Sequence, residues 1–241
     1  MSVQLRLDEY RHDTVTLVCK GCRHQHPVRL RCGKRSCPDC RKRDYYRLVR
    51  GYGKAVTEMR NPKLLTVTLQ NVPELTTEVV TRLRVSLKAL LRYQSPLVRG
   101  GVYAIEVENV GRGWHVHAHI VMDAVYIPQR VLSAQWRAIT GDSFVIDIRR
   151  AWSPRDALKY ILKYLAKPPK LLHELIPTYN TVLHGIRLIH PFGVMYRFWK
   201  IQLSRRPCPD CGGTVWGIVI ASVAWCWDDT VTAAGRPRAP A

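Results

Sequence analysis

The sequence predicts an α+β protein in which an antiparallel β-sheet carries helices on one face and small zinc-binding modules flank this core. Three observations lead to this prediction. Short β-branched segments alternate with amphipathic segments between about residues 60 and 200. Two of the apolar segments are separated by a glycine-rich turn, which is typical of a hairpin. Cys-x-x-Cys pairs occur near both ends of the chain, and in an intracellular protein they indicate zinc.

The length and charge of the chain indicate the size of its core and the kind of partner it binds. The chain has 241 residues, enough for one core of ordinary size with small appendages. It carries 38 Lys and Arg residues against 18 Asp and Glu residues, a formal net charge of +20. A charge of this size favours a polyanionic partner such as nucleic acid, and a merely basic protein of the ribosomal type is the alternative.

Membrane and export features are not expected. The first residues lack the apolar run of a signal peptide. The longest apolar stretch, Val215 to Trp227, is too short to span a bilayer and is more typical of strands or a buried surface. We therefore expect a cytoplasmic protein, associated with the nucleoid or a plasmid, without a membrane partner.

Composition shifts predict four regions. Residues 1–55 are cysteine-rich and very basic and resemble a zinc-ribbon module, and residues 56–204 form the α+β core. Residues 205–230 form a small cysteine-containing module. Residues 231–241 are of low complexity, which predicts a disordered tail.

The first half of the core contains two strands and a helix. Leu64 to Leu69 alternates in a β-branched run and predicts a strand, which Asn71 and Pro73 end. Residues 74–93 have leucines and valines at helical spacing, with arginines on the other face. After two glycines, Val102 to Glu108 predicts the second strand.

The second half completes the order β-α-β-β-α-β-α. Trp114 to Met122 predicts the third strand, which forms a hairpin with the second across a glycine-rich turn. Pro128 begins a helix that runs to about Ile139, and Ser143 to Arg149 is the fourth strand. Ser153 and Pro154 cap and begin the last helix.

Three histidines in the third strand form a candidate metal site. His115, His117 and His119 alternate with apolar residues, so they share one face of the strand. Glu106 and Glu108 share a face of the neighbouring strand, so a carboxylate can lie opposite the imidazoles. Such a set suits Mg²⁺ or Mn²⁺ acting on phosphate oxygens. The alternative is a strand of surface or hydrogen-bonded histidines, which three at alternate positions make less favoured.

The last predicted helix carries a candidate nucleophile. Tyr160 and Tyr164 are four residues apart and therefore project from the same helical face, and Lys163 and Lys167 each follow a tyrosine by three positions. A free tyrosine has a pKa of about 10, so it needs a nearby cation or metal to act as a nucleophile near neutral pH. The alternative is an amphipathic helix with core tyrosines and solvated lysines.

Together these motifs resemble the HUH endonucleases, named for a histidine-hydrophobic-histidine motif, and especially the replication initiators of rolling-circle plasmids and phages. His117-Ala-His119-Ile-Val-Met matches that motif, and Gly-Trp-His115 resembles the lead-in of plasmid initiators. Glu106 stands where the family's third metal ligand is found. Tyr160-Ile-Leu-Lys163 and Tyr164-Leu-Ala-Lys167 both fit the family's nucleophile pattern, as in its two-tyrosine subclass. The resemblance spans roughly residues 15 to 200.

The resemblance implies an HUH-type catalytic domain and a mechanism. A tyrosine attacks single-stranded or hairpin origin DNA, becomes joined to the 5′ phosphate and releases a 3′ hydroxyl that primes synthesis. A divalent metal polarises the phosphate. The resemblance implies that His117, His119 and Glu106 are the metal ligands. His115 is then an extra histidine, and Glu108 is an alternative to Glu106 as the carboxylate ligand. Because no Gly-x-x-x-x-Gly-Lys-Ser/Thr loop is present, a host helicase and polymerase would have to assist.

Other functions compete with this prediction. A two-tyrosine transposase of an insertion element uses the same chemistry, although the short basic chain and the Tyr-x-x-Lys-Tyr pattern favour an initiator. A plasmid-transfer relaxase has a longer chain and a differently arranged histidine triad. A non-catalytic zinc-ribbon protein that binds nucleic acid would explain the charge and the cysteines, but not the histidines and tyrosines.

The cysteines predict zinc at both ends. Cys19-x-x-Cys22 and Cys37-x-x-Cys40 have the spacing of a zinc ribbon. Cys32 can replace a member of the first pair, because Cys32-x4-Cys37-x2-Cys40 resembles a cluster found in plasmid initiators. A second zinc site is predicted from three later cysteines, Cys208, Cys211 and Cys226. Basic residues around the first cluster are candidates for DNA phosphate contacts: Arg35, Arg41, Lys42 and Arg43.

Overall fold

The computed structural model describes residues 12–166, 169–196 and 207–219, and for residues 164–166 and 219 it describes the backbone. The strands are β1 Thr14–Cys19, β2 Gln25–Arg29, β3 Pro62–Thr68, β4 Val98–Glu108, β5 His115–Ala124, β6 Ile146–Arg150, β7 Ile189–Gly193 and β8 Trp216–Val219. The helices are α1 Pro38–Thr57, α2 Thr77–Tyr93, α3 Gln129–Thr140, α4 Pro154–Ala166 and α5 Ile176–Val182, and a 3₁₀ turn His173–Leu175 precedes α5.

The chain divides into two units, and the division differs from the predicted regions. The described residues up to Cys32 and those of 207–219 belong to the same unit, and the chain from Gly33 to residue 196 forms the other. The two cysteine-containing ends were predicted as separate modules, but a single three-stranded antiparallel sheet in the order β2-β1-β8 joins them. The predicted tail, residues 231–241, lies outside the described residues.

The larger unit is built on a five-stranded sheet in the order β6-β3-β5-β4-β7, in which every neighbouring pair is antiparallel. The β-α-β-β-α-β-α order predicted from the sequence is present from β3 to α4. The predicted hairpin is the β4–β5 pair, which is central in the sheet. The α+β class with an antiparallel sheet is therefore confirmed.

Helices cover both faces of this sheet, so the prediction of helices on one face was wrong. One face packs under α2 and α3, where Leu83, Leu87 and Trp136 are fully buried against the strands. The other face packs under α1 and α4, where Tyr52 and Leu158 are fully buried. Strands buried on both faces account for the apolar residues at consecutive positions of β4 and β5.

Helix α1 changes the predicted boundary of the N-terminal module. Its residues were assigned to a basic zinc module ending at residue 55, but they form a 20-residue helix in the larger unit. Leu48, Tyr52, Ala55 and Val56 are buried at helical spacing, which gives α1 the apolar stripe of a packed helix. The module that remains at the N-terminus ends near Cys32.

Side-chain caps begin two of the helices, and the cap of α4 was predicted from the sequence. The Thr76 side chain accepts a hydrogen bond from the backbone N–H of Val79 and so caps α2. The Ser153 hydroxyl accepts one from the backbone N–H of Asp156, at 3.2 Å, at the start of α4. Since α4 carries Tyr160, this cap fixes where the helix begins relative to the tyrosine.

None of the helices in the described part of the chain combines the length and the apolar composition that a membrane span requires.

Candidate active site

Glu106, His117 and His119 come together on the face of the sheet that α4 covers. Glu106 pairs with His117 across β4 and β5, and Ala104 pairs with His119. The Nε2 atoms of His117 and His119 lie 2.7 Å and 3.1 Å from the same Glu106 Oε2. One ligand atom from each residue falls within 4.8 Å of the others.

Strand geometry produces this cluster. Val116, Ala118 and Ile120 alternate with the histidines and are buried in the apolar core of the opposite face. Those apolar residues fix the orientation of β5, because a slip of one residue would move them all to the other face. His117 and His119 are therefore held with 7% and 6% of their surface exposed.

The electrostatics of the cluster favour an anionic Glu106 carboxylate and a neutral His119 ring. Burial raises the pKa of Glu106, but hydrogen bonds from His117 and His119 outweigh it and lower the pKa to about 2. Burial lowers the pKa of His119, so its imidazole is kept neutral. A carboxylate with two neutral imidazoles is the protonation state in which all three groups can bind a metal.

The donor set fits a divalent cation. Three electron-pair donors face one another at hydrogen-bonding distances, an arrangement that a cation between them would stabilise. His119 Nδ1 lies 3.1 Å from the Thr66 hydroxyl on β3, and such a contact orients a ligand ring from behind. Glu106, His117 and His119 can thus hold a divalent metal ion.

Tyr160 lies beside this cluster. Its ring meets the His119 ring edge-on, with the centroids 5.9 Å apart. Tyr160 is half-buried and packs against the cluster of buried apolar residues that α1 and α4 form with the sheet. The Nζ of Lys163 lies 3.7 Å from the centroid of the Tyr160 ring, so the ammonium contacts the ring face. The structure therefore brings together the predicted carboxylate, both motif histidines, one tyrosine and its lysine.

The second tyrosine pair is described only in part. The backbone of Tyr164 belongs to α4, one turn beyond Tyr160, and its side chain lies outside the described residues. Lys167 also lies outside the described residues. The roles predicted for Tyr164 and Lys167 remain predictions.

His115 does not join the metal cluster, contrary to its inclusion among the candidate ligands. Its Nδ1 lies 2.7 Å from the Asn71 side-chain oxygen, and no ligand atom of His115 belongs to the group of three. Glu108, which pairs with His115 across the strands, is 3.0 Å from Lys170 Nζ. His115 and Glu108 therefore have local partners of their own, Asn71 and Lys170.

The sequence analysis did not assign Thr66, Asn71 or Lys170 to the candidate site. Thr66 lies directly across from His119 in the β3–β5 register, so its role depends on a strand pairing that the sequence did not specify. Asn71 reaches His115 from the loop after β3. Lys170 reaches Glu108 from the segment after α4. All three come from chain segments that are distant from the hairpin in sequence.

The four predicted DNA-contacting residues divide into two pairs. Arg35 donates hydrogen bonds to the backbone carbonyls of Leu183 and Ile186, and Arg41 is buried beside Tyr179. A DNA contact by either arginine would compete with these internal hydrogen bonds, and the contacts predicted for them remain predictions. Lys42 and Arg43 are exposed on α1, where a phosphate contact is sterically possible.

The cysteine pairs meet differently from the predicted zinc ribbon. Cys19 and Cys22 lie with Cys208 and Cys211, with one Sγ from each within 4.8 Å of the others. The sequence spacing had paired Cys19 and Cys22 with Cys37 and Cys40, or with Cys32 replacing one member. Cys37 and Cys40 are buried at the start of α1, and the cluster predicted from Cys32, Cys37 and Cys40 remains a prediction. Cys226, the third cysteine predicted for the C-terminal site, lies outside the described residues.

Comparison of the chain with protein-family models, curated proteins and solved structures produced no match. Function is therefore inferred from the chemistry of the site.

Proposed function

We propose that this protein is an HUH-type endonuclease that nicks and rejoins single-stranded DNA through a 5′-phosphotyrosine and initiates rolling-circle replication of a plasmid or phage. The observation that carries this proposal is the meeting of Tyr160 with the cluster of Glu106, His117 and His119. A metal site alone fits many hydrolases, and a tyrosine alone is usually structural. Their contact supports a nucleophile that works beside a bound phosphate.

In the proposed reaction Tyr160 is the nucleophile. Its Oη gives up its proton to solvent and forms a bond to the scissile phosphorus, the bond from phosphorus to the 3′ oxygen breaks, and the released 3′ oxygen takes up a proton from solvent. The DNA 5′ phosphate stays on the tyrosine, so a later 3′ hydroxyl can attack the same phosphorus and restore the strand without ATP. A divalent metal held by Glu106, His117 and His119 would polarise the phosphate oxygens.

Lys163 has a supporting role in this proposal. Its ammonium lies against the Tyr160 ring, where its positive charge can attract a phosphate of the DNA. Lysine is suited to this as a compact point charge with three donors. We expect Lys163 to position the tyrosine and the DNA rather than to form a covalent bond.

The charge of the chain supports a DNA partner. A formal net charge of +20 attracts the phosphates of single-stranded or hairpin origin DNA, and it predicts affinity that falls steeply with salt. The chain has no phosphate-loop motif for ATP, so unwinding and synthesis would come from a host helicase and polymerase.

The proposal is tested by incubating the protein with a broad pool of end-labelled single-stranded oligonucleotides and Mn²⁺ or Mg²⁺, followed by a denaturing gel. The variants are Tyr160→Phe, Tyr164→Phe, their combination, and Tyr126→Phe as a control at a tyrosine that is 80% exposed. We expect a covalent protein–DNA band in the wild type and in the control. It should require metal and should be lost in the double variant.

A band that persists in the double variant would rule out these tyrosines as nucleophiles. Retained DNA binding with no covalent band in any sample would favour a non-catalytic nucleic-acid-binding protein.

A further inference from the structure

We infer that the two ends of the chain share one structural zinc ion, bound by Cys19, Cys22, Cys208 and Cys211. This site differs from a ribbon confined to the N-terminal region and from a separate C-terminal site. It is independent of the proposed nuclease activity, because its ligands lie in the smaller unit, apart in sequence from the histidine strand and α4.

The sulfur geometry suits a tetrahedral metal. Cys19 Sγ lies 3.5 Å from Cys211 Sγ, and Cys22 Sγ lies 3.5 Å from Cys208 Sγ. A disulfide would place two sulfurs at about 2.05 Å. Tetrahedral zinc with Zn–S bonds of about 2.3 Å holds its sulfurs about 3.8 Å apart. The observed spacing is therefore that of thiolates arranged around an ion.

The two Cys-x-x-Cys loops have the same backbone hydrogen bonds. In the first loop, the N–H of Arg23 donates to the carbonyl of Cys19, and the N–H of Cys19 donates to the carbonyl of His24. In the second loop, the equivalent bonds run from Gly212 to Cys208 and from Cys208 to Gly213. The residue after the second cysteine has a positive φ in both loops, 64° at Arg23 and 71° at Gly212.

This repeated turn is an observation independent of the sulfur distances. Arg23 is the one non-glycine residue with a positive φ in the described part of the chain, a conformation that is costly for a side chain with a Cβ. The turn directs both sulfurs of a pair to the same side of the loop. Two such loops facing each other provide four ligands without further adjustment.

Contacts around the sulfurs hold the loops in register. β1 ends at Cys19 and pairs antiparallel with β8, so that Cys19 lies opposite Trp216. The His24 ring nitrogen Nδ1 lies 2.6 Å from the Asp210 carboxylate, linking the first loop to the second. Gly21 and Gly213 both lie close to the Sγ atoms of Cys19 and Cys211, so a larger residue at either position would approach the metal-binding sulfurs.

The ligand set identifies the ion by its chemistry. Four thiolates favour zinc among the abundant divalent metals, whereas Mg²⁺ and Mn²⁺ prefer oxygen ligands. The site is thus chemically distinct from the cluster of Glu106, His117 and His119. Removing zinc should release residues 207–219 from β1 without removing the ligands of the candidate active site.

A cycle of variants tests whether the site is shared. Zinc is counted by mass spectrometry of the intact full-length protein under non-denaturing conditions. The variants are Cys19→Ser with Cys22→Ser, Cys208→Ser with Cys211→Ser, and all four substitutions together. The control is Cys37→Ser with Cys40→Ser.

We expect each of the first two variants to lose one zinc, and the fourfold variant to lose the same single zinc rather than two. The control pair should keep this zinc. Loss of two zinc ions in the fourfold variant would show two separate sites and overturn the inference, as would no loss in any variant.

Thiol protection in the unmodified protein provides a second readout if a variant does not fold. N-ethylmaleimide labelling is followed by peptide mass spectrometry, before and after zinc is removed with a chelator. We expect Cys22 and Cys211, which are both exposed, to resist labelling with zinc present and to become reactive together as one zinc is lost. Labelling of Cys211 while Cys22 stays protected would overturn the inference.

Discussion

At the scale of residues, one carboxylate determines the chemistry of the candidate active site. Glu106 is the single anionic member of the group, and both histidines direct Nε2 to its Oε2. The sequence predicted this set because alternate residues of two paired strands share a face. It also included His115, which lies one pair further along the hairpin and bonds to Asn71 instead. The alternation of the sequence identifies the strand face that carries the histidines. Which of them converge on Glu106 depends also on the contact between His115 and Asn71, which the sequence did not reveal.

Substituting Glu106→Gln should weaken Mn²⁺ binding, measured by isothermal titration calorimetry, by about 100-fold or more. The amide keeps the shape but removes the negative charge, and even loss of a partner behind a ligand costs about 10- to 100-fold. Glu108→Gln is the matched control, because Glu108 lies two residues away on the same strand and pairs with Lys170. Equal Mn²⁺ affinity in the two variants would argue against Glu106 as a ligand.

At the scale of elements, the strands and helices that carry the site were predictable, and those that enclose it were less so. The β4–β5 hairpin and α4 follow from period-two and helical patterns. The apolar stripe of α1 is interrupted by many basic residues, a composition that also fits a zinc module or a DNA-binding surface. β7 is a five-residue edge strand that contains Pro191 and ends at Gly193, so it lacks the usual strand composition. Because α1 was not predicted, the sheet was wrongly expected to have helices on one face only.

The junction between β6 and α4 is a candidate base-stacking position. Trp152 is 82% exposed, and the Arg150 guanidinium lies 4.3 Å from the ring centroid. The Arg150 guanidinium thus covers one face of the indole. The helix α4 begins two residues later at Pro154, and Tyr160 lies about 9 Å further along its axis. If DNA runs along this surface, a base can stack on the exposed indole.

Trp152→Ala should weaken the binding of a labelled single-stranded oligonucleotide, measured by fluorescence anisotropy, by about 5- to 150-fold, the equivalent of about 1–3 kcal/mol for one stacked base. Tyr126→Ala is the control, since Tyr126 is 80% exposed on a different loop. If both variants bind like the wild type, DNA does not stack on Trp152.

The stability of the protein should depend on pH through His190, which lies in the edge strand β7. Burial lowers the pKa of His190 to about 4, nearby Arg84, Arg187 and Lys88 act in the same direction, and a hydrogen bond to the Arg187 carbonyl opposes them. The unfolded chain, with its histidine pKa near 6.5, therefore binds more protons between pH 4 and 6.5. The contribution of neutral His190 is complete above about pH 6.5 and is lost as the pH falls toward 4.

Thermal unfolding midpoints at pH 7 and pH 5 test this dependence in wild type and in His190→Phe, which retains a ring to stack on Tyr103. We expect the midpoint to fall more between pH 7 and pH 5 in the wild type than in the variant. An equal fall in both proteins would place the acid sensitivity elsewhere.

At the scale of the whole molecule, the sequence predicted the chemistry of the chain ends better than their connection. The Cys-x-x-Cys pairs were recognisable as candidate zinc ligands, but their spacing favoured nearby partners. Cys22 and Cys208 are 186 residues apart, and no local pattern reports such a pairing. The pairing becomes evident when β1 and β8 share a sheet. Long-range contacts of this kind depend on the complete fold and are the least accessible to sequence spacing.

The central claim, that Tyr160 becomes joined to DNA beside the histidine cluster, is tested most directly by locating the linkage. Trypsin cuts after Lys159 and Lys163, so Tyr160 is released in the peptide of residues 160–163 and Tyr164 in that of residues 164–170. After reaction with single-stranded DNA and Mn²⁺, digestion with nuclease and trypsin leaves a nucleotide mass on the reacted peptide. We predict that mass on the peptide of residues 160–163. A nucleotide mass on residues 164–170 alone, or on no tyrosine peptide in protein that binds DNA and Mn²⁺, would contradict the claim.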